Sequence, residues 1–237
     1  MAVNRYFANT YLAEMVDISA GEVVDVHKID KFGYNSAVGN SYETIWDGNN
    51  LYTYIETAGT ATVTSSNTSA DNGSTIEIEG LDVNYDQVSE TLTVGGSAGT
   101  VEFYRVYRAS VVTPNTGTAN VGAVTITVDS KSAAIISPDQ GQTLMCVYTI
   151  PRRYTGYLIQ LDVGSSKDVE NTVRVVVRNG SSQAFNVKAF LSKRGGFSEK
   201  NFRIPVEIPQ KNDIEVQALA SATSSISAGF ELILCRK

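Results

Sequence analysis

Residues 173–190 read VRVVVRNGSSQAFNVKAF, and this stretch decides the fold. It opens with the β-branched run Val173–Val177 and closes with Phe185–Phe190, in which apolar and polar residues alternate. β-Branched and aromatic residues favour strands. Asn179-Gly180 between the two runs is typical of a type I′ hairpin turn, which needs positive φ at both central positions. The stretch therefore predicts two antiparallel strands joined by a tight turn.

The same signals extend in both directions along the chain. Thr75–Glu79 alternates strictly, so its isoleucines face one side of a strand and its glutamates face the other. Phe230–Leu234 is too apolar for a loose tail and is predicted to be a central strand. Pro151, Pro205 and Pro209 border strand-like runs, which indicates strand ends or sheet edges, because proline cannot donate to the ladder. The chain is predicted to be all-β.

The composition restricts the kinds of partner. The chain has 237 residues, of which 42% are hydrophobic and 19% are charged, and its net charge is −6. This apolar content is too high, and the charge too low, for a disordered chain. An acidic protein repels phosphate backbones, so we expect no nucleic-acid partner. We also expect no membrane partner, because no apolar stretch is long enough to span a bilayer.

Residues 1–21 differ in composition from the rest and are predicted to form an N-terminal arm. Tyr11, Leu12 and Met15 belong to an apolar segment that has no evident strand partner. This segment could make one or two helical turns that end at Gly21, but so short a helix gains little by itself. We therefore expect an arm that lies extended against another surface. A frayed terminus is the alternative.

Two β-sandwich domains of the jelly-roll type are predicted to follow the arm. Residues 113–118 contain proline and glycine, break the strand periodicity and form the best candidate boundary. The predicted division is a short N-terminal arm over 1–21, an N-terminal β domain over 22–112 and a C-terminal β-sandwich domain over 113–237. The second domain is expected to hold about nine short strands. Cys146 and Cys235 each lie in an apolar run and are expected to be reduced.

Few residues offer catalytic or metal-binding chemistry. His27 is the single histidine, and a structural or surface role is favoured for it. Asp82–Asp86 opens like a calcium loop, but Gln87 and Thr93 occupy the positions that need glycine and glutamate, so a turn is predicted and adventitious calcium is left open. The glycines of residues 95–99 precede a strand rather than a helix, which favours a turn over a phosphate site. We predict a protein that is not an enzyme and has no cofactor or metal.

Aromatic residues are the remaining feature of the N-terminal half. Tyrosines cluster here in loops and short strands, and aromatic residues with a polar tip are enriched in protein interfaces. Core packing is the alternative for these side chains and is favoured for Trp46. Together with apolar residues of the arm, the predicted interface residues are Tyr34, Tyr42, Tyr52, Tyr11, Leu12 and Met15.

Much of the chain from Phe32 onward resembles structural proteins of tailed bacteriophages that infect aquatic bacteria or cyanobacteria. The stretches that carry this resemblance are Phe32–Asn35, Ile45–Gly48, Leu51-Tyr52, Gly80–Asp82, Glu90–Val94, Gln142–Met145, Ile150-Pro151, Ile208-Pro209, Asp213–Val216 and Ser227–Leu232. They contain turns and strands without a catalytic signature. The resemblance implies a component of the virion that is assembled in the host cytoplasm, and it identifies no site residue.

The resemblance implies a role that depends on contacts with other virion proteins. The leading hypothesis is a capsid decoration, or cement, protein that binds the major capsid protein and is itself a homo-oligomer, with a trimer favoured. The alternative is a tail or head-fibre component that binds tail proteins and contacts the host cell surface.

Overall fold

A computed structural model describes residues 10–180 and 182–237, with side chains from residue 14 onward. Its regular structure consists of strands apart from two short helices, which confirms the predicted all-β fold class with sandwich-like layers. Among these residues, no helix has the length and apolar character needed to cross a membrane.

The helices and strands alternate with turns along the whole described chain. The helices are α1 (Thr10–Ser19) and α2 (Thr68–Asp71). The strands are β1 (Val26–Val38), β2 (Glu43–Thr44), β3 (Gly59–Thr60), β4 (Thr62–Ser65), β5 (Thr75–Leu81), β6 (Gln87–Thr93), β7 (Glu102–Phe103), β8 (Arg105–Thr113), β9 (Val124–Val128), β10 (Lys131–Ile136), β11 (Val147–Thr149), β12 (Tyr154–Arg178), β13 (Phe185–Ile208), β14 (Asp213–Ala220) and β15 (Ser224–Arg236).

The largest sheet joins the two ends of the described chain. Its strand order is β1-β15-β12-β14-β11, with β13 beside β12 and β2 beside β14. Each of these pairings is antiparallel. Strand β15 lies between β1 and β12, and its side chains at Phe230, Leu232 and Leu234 are buried. This arrangement confirms the central strand predicted for Phe230–Leu234.

Strands β12 and β13 are far longer than the short strands expected from the sequence. β12 has 25 residues and changes its partner along its length. It pairs with β15 up to Ser165 and with β14 from Asn171 onward, while β13 pairs with both parts. The register against β13 shifts between Ser165 and Glu170. Apolar alternation resumes after this irregularity, so one strand supplies two parts of the sheet.

Two hydrophobic cores fill the molecule. The first is built on the largest sheet and includes Leu161, Val175 and Phe230. Both parts of β12 contribute to it, because Leu161 precedes the change of partner and Val175 follows it. The second core is built from residues 46–147 and includes Trp46 and Ile126.

These cores group the chain differently from the predicted domains 22–112 and 113–237. β1, which belongs to the predicted first domain, pairs with β15 near the end of the chain. β8 and β9 flank residues 113–118, and both contribute side chains to the second core. The predicted boundary at residues 113–118 therefore does not separate the two cores. The division of the chain into two domains at this position stays a prediction.

Three smaller sheets surround the second core, with strand orders β6-β5-β8, β10-β9-β4 and β3-β7. In β5, Ile76 and Ile78 are fully buried, whereas Glu77 is exposed and Glu79 is partly exposed. The alternation predicted for Thr75–Glu79 is thereby confirmed.

β12 and β13 form the predicted hairpin, but the predicted two-residue turn is wrong. Residues 179–184 separate the strands, and the amide of Asn179 donates to the carbonyl oxygen of Ala184 at 2.8 Å. Gly180 lies against the backbone at Lys211. A side chain at position 180 would clash with the carbonyl oxygen of Lys211, so only glycine fits there. The Asn-Gly pair thus marks the reversal without making the tight turn.

Helix α1 takes the place of the extended arm that we expect from the sequence. It ends where the sequence predicts, since Gly21 has a φ of 71°. The amide of Glu22 donates to the carbonyl oxygen of Asp17 at 2.9 Å, and that of Gly21 donates to Ile18 at 3.1 Å. These two bonds form a Schellman motif, which satisfies carbonyl groups at the helix end. The helix contacts β1 and ends beside the start of the main sheet.

Candidate interaction surface

Strand β13 is an edge of the largest sheet over 24 residues. It pairs with β12 on one side, and within residues 10–180 and 182–237 no strand pairs with its other side. Unpaired amide and carbonyl groups on a strand edge can bind another chain, and soluble proteins usually shorten or cover such edges. An edge of this length is therefore a candidate surface for contact with another protein.

Exposed apolar side chains are concentrated on this edge strand. Its inner face packs against the first core through Leu191, Phe202 and Val206. Other large apolar side chains of β13 are exposed, namely Phe185, Val187, Phe190, Phe197 and Ile204. Single exposed apolar residues are ordinary on a protein surface, but a concentration of them on one element marks an interaction site.

Residues 202–205 form an outward irregularity of the strand, here called the β13 bulge. The register of β13 against β12 shifts there, so that these residues oppose Ile159 alone. Ile204 is 86% exposed, and the neighbouring Arg203 is exposed too. Among the described residues, Arg203 has no hydrogen-bond or ion-pair partner. Pro205 lies in this edge strand, as the sequence predicts.

The edge strand is basic, although the protein as a whole is acidic. Strand β13 contains five basic residues and two acidic residues, which gives a charge of +3. The whole chain carries −6, so the residues outside β13 carry −9. The basic residues are Lys188, Lys193, Arg194, Lys200 and Arg203. A basic strand on an acidic protein favours an acidic partner surface.

A cleft of about 580 Å³, here called the acidic cleft, opens beside β1, β15 and β12. Phe32 and Tyr34 lie two residues apart on β1, and both are exposed at this cleft. Leu144 contributes a further apolar side chain, and the carboxyl groups of Asp47 and Asp162 lie in the lining. Apolar walls with a few polar groups are typical of binding clefts.

The electrostatics of the acidic cleft favour a positively charged group. Asp47 accepts hydrogen bonds from the Ser137 hydroxyl at 2.6 Å and the Leu144 amide at 2.8 Å, while burial raises its pKa. Burial also raises the pKa of Asp162, and the negative charges of Asp30, Glu199 and Glu231 act in the same direction. None of the residues lining the cleft is basic. A cation that enters the cleft would reduce this repulsion between carboxylates.

A buried ion pair fastens the second core to the large sheet. Arg105 on β8 donates to both carboxylate oxygens of Asp213 on β14, at 2.8 and 3.1 Å. Both side chains are almost wholly buried, and the Thr149 hydroxyl donates to the same carboxylate at 2.6 Å. The Arg105 guanidinium also lies 4.3 Å from the ring centre of Tyr104. A buried pair with this many partners fixes the relative position of the elements it joins.

A buried carboxyl group lies near this ion pair. Glu215 on β14 accepts hydrogen bonds from the hydroxyls of Thr44 at 3.3 Å and Tyr54 at 3.4 Å, and from the amide of Gln217. Burial raises the pKa of Glu215 to about 7, although the bonds from Gln217 and Thr44 act in the opposite direction. The contacts of Glu215 are with other side chains of the fold, so its role is structural.

A second, smaller cleft contains a buried lysine. The amine of Lys31 donates to the carbonyl oxygen of Tyr107, and burial lowers the pKa of Lys31 to about 7, with Arg108 acting in the same direction. The buried hydroxyl of Tyr148 in the same cleft has no hydrogen-bond partner in the described part of the protein. These groups lie where β1 meets β8, and they identify no substrate class.

The residues considered for metal or acid–base chemistry are engaged in ordinary structural contacts. Asp82 accepts hydrogen bonds from the amides of Asn84 at 2.8 Å and Asp86 at 2.9 Å, as in the predicted turn. His27 lies 3.5 Å from the Tyr154 hydroxyl in an exposed position. In the described part of the chain, no group of three or more His, Cys, Asp or Glu side chains could hold a metal ion. Both cysteines are free thiols.

The structure places the predicted interface tyrosines in three different environments. Tyr34 is 39% exposed and lines the acidic cleft. Tyr42 is half-buried, and the guanidinium of Arg174 lies 3.6 Å from its ring centre. Tyr52 is 7% exposed, and its hydroxyl donates to the Ala133 carbonyl at 2.9 Å, so it is a core residue and is not available as an anchor.

The predicted interface residues of the arm lie in helix α1. Met15 is half-buried there. The side chains of Tyr11 and Leu12 lie outside the described part of the structure, so their assignment stays a prediction. Trp46 belongs to the second core, as favoured from the sequence, and its indole N–H donates to the Asn50 carbonyl at 2.8 Å.

The exposed apolar residues of the β13 edge are not among the residues predicted from the sequence to form an interface. Phe197 and Ile204 have the composition of ordinary strand residues, and their exposure follows from the position of β13 at the side of the sheet. Two signals were available, namely the run of basic residues after Phe185 and the proline at position 205. Proline inside a strand-like run indicates an edge strand.

Comparisons with solved structures found remote likenesses. No family model matches the chain, and no curated protein matches it. A structure of infectious bursal virus derived T=1 particles is 12% identical, with a TM-score of 0.29 over 90% of this chain and 70% of that one. The infectious bursal disease virus Gx strain gives 11% identity and a TM-score of 0.28 over 89% and 72% of the chains.

A structure from outside the viruses is also among the likenesses. A bacterial lipoprotein from Bacteroides thetaiotaomicron is 11% identical, with a TM-score of 0.16 over 91% of this chain and 97% of that one. The viral neighbours are thus only weakly similar to this chain. Because the TM-scores are this low, no function is inferred from these neighbours.

Proposed function

We propose that this protein is a non-enzymatic structural component of a tailed-phage virion, and specifically a capsid decoration protein that acts through protein–protein contacts. The observation that carries the proposal is the 24-residue edge strand β13 with its exposed apolar side chains. An uncovered edge of this kind promotes aggregation. A partner protein that covers the edge prevents this aggregation. The resemblance of the sequence to phage structural proteins supports the virion as the place where this happens.

The chemistry of the described residues is compatible with a role in assembly. The buried charged groups Arg105, Asp213 and Glu215 make contacts within the fold and connect its layers. Among the described residues, the exposed apolar side chains and Arg203 on β13, together with the acidic cleft, are available for such contacts. Proteins that bind a repeated lattice gain stability because symmetry repeats a modest contact many times.

The copy number of the protein in purified virions tests this proposal. Quantitative mass spectrometry should give a ratio to the major capsid protein that corresponds to regular occupation of the capsid lattice. A copy number on the scale of tail proteins would support the tail or head-fibre role in its place. Absence from purified virions would contradict the proposed function altogether.

A further inference from the structure

We infer that the partner of the β13 bulge is the acidic cleft of a second copy of this chain, and that the contact repeats head to tail into a closed ring. The inference rests on the proposed function, because it assigns a partner to the same edge strand. It commits to Arg203 and Ile204 as the inserting side chains and to the lining of the acidic cleft as the receiving surface.

The β13 bulge has the chemistry of an inserting group. Ile204 is 86% exposed and offers an apolar surface that water covers in the isolated chain. Arg203 is exposed beside it and, among the described residues, has no acceptor within its own chain. An apolar side chain next to an unpaired guanidinium suits a partner site that is both apolar and acidic.

The acidic cleft offers these two properties together. Phe32, Tyr34 and Leu144 provide apolar and aromatic surface for an isoleucine side chain. Asp47 and Asp162 provide carboxylates for a guanidinium, which binds carboxylates through two parallel hydrogen bonds and also stacks on aromatic faces. The partner is thus identified by charge complementarity as well as by apolar surface.

The charge distribution disfavours pairing of β13 with itself. Two copies of β13 brought together would oppose strands of charge +3, whereas the rest of each chain carries −9. The contact is therefore between different surfaces of the two copies. Heterologous contacts of this kind form rings when the rotation closes, and the favoured trimer is one such ring.

The edge strand is also large enough for a specific contact. A standard protein interface uses ~20–30 residues on each side. Strand β13 has 24 residues, and its exposed apolar side chains extend from Phe185 to Ile204. The β13 bulge would serve as the buried centre of this contact, where a few residues supply most of the binding energy.

Analytical ultracentrifugation of the purified full-length protein tests the inference. The wild type should form a trimer or a larger ring. Ile204→Ser and Arg203→Glu should each raise the dissociation constant at least about tenfold, since each removes a central contact. Asp162→Lys should do the same, and the double variant Arg203→Glu/Asp162→Lys should recover the ring because the charges are exchanged. Arg153→Glu, an equal charge change at an exposed side chain outside β13, is the matched control.

Several results would overturn the inference. These are a monomeric wild type, a symmetric dimer, unchanged association of Ile204→Ser and Arg203→Glu, and a double variant that fails to recover. Circular dichroism verifies that each variant is folded, and Ile204→Ser keeps the test valid if Asp162→Lys does not fold. A monomer that is abundant in virions would contradict this inference alone. A ring that is missing from virions would contradict the proposed function alone.

Discussion

At the scale of single residues, burial determines what each aromatic or charged side chain does. Tyr34 and Tyr52 look equivalent in the sequence, because both lie in a stretch of turns and short strands. The structure separates them: Tyr52 packs edge-on against Trp46 with ring centres 5.0 Å apart, whereas Tyr34 stands exposed on β1. Sequence periodicity could not distinguish them, because Tyr52 lies in a loop, where no repeat reveals an inner face.

Replacing each of these tyrosines by alanine should separate the two roles. Tyr52→Ala removes a buried ring and a hydrogen bond to Ala133, so we expect the free energy of unfolding to fall by about 3–5 kcal/mol. Tyr34→Ala removes an exposed ring, and its effect on unfolding should stay within about 0.5 kcal/mol. Urea denaturation measures both values. A large loss in Tyr34→Ala would show that this ring supports the fold.

The buried carboxyl of Glu215 should make stability depend on pH. The pKa of this group is about 7 in the fold, against an ordinary value of 4.5, so the folded state holds the proton more tightly. Its contribution is fully present below pH 4.5 and is lost as the pH rises through about 7. Glu215→Gln should flatten the fall of stability in this window, measured by urea denaturation. Glu77→Gln, at an exposed position, is the control and should not change the loss of unfolding free energy with rising pH. If Glu215→Gln lost as much stability over this pH range as the wild type, other groups would be responsible for the pH dependence.

At the scale of elements, strands could be predicted where local alternation is strong, but their pairing could not. The hairpin of β12 and β13 follows from residues that are neighbours in the sequence. The pairing of β1 with β15 brings together Lys28 and Glu231, which are 203 positions apart. No local pattern encodes such a contact, so the partner of the N-terminal strand could not be predicted. For the same reason the length of the β13 edge and the candidate interaction surface on it could not be predicted, although Pro205 indicates a strand end or a sheet edge.

Removal of residues 1–21 should leave the fold intact and weaken assembly. Among the described side chains of α1, none belongs to either core, so its loss uncovers little apolar surface. We expect a thermal unfolding midpoint close to that of the full chain and reduced occupancy on particles. Circular dichroism and a particle-binding assay measure the two effects. An unfolded product would show that the arm is part of the folded core.

At the scale of the whole molecule, two cores act as one unit. β1 and β15 close the large sheet around the chain ends, and the Arg105–Asp213 pair links this sheet to the second core. The buried pair stabilises the connection only while both partners are present, because either one alone would be an uncompensated buried charge.

Limited proteolysis should cut the chain at residues 115–118, which are exposed, without separating the products. The fragments should remain associated because β1 pairs with β15 and because β8 and β9 share the second core. Size-exclusion chromatography of the nicked protein measures this association, with denaturant added as the control that releases the fragments. Two separate folded fragments would support domains divided at residues 113–118.

The most direct test of the central claim, that strand β13 is covered in the assembly, is hydrogen–deuterium exchange of the protein on particles and of the monomer obtained by dilution below the dissociation constant. Amides of β13 that do not bind β12 should exchange quickly in the monomer and slowly on the particle. Strand β6, also an edge strand, provides an internal comparison and should exchange alike in both states. Equally fast exchange of β13 in the two states would contradict the account.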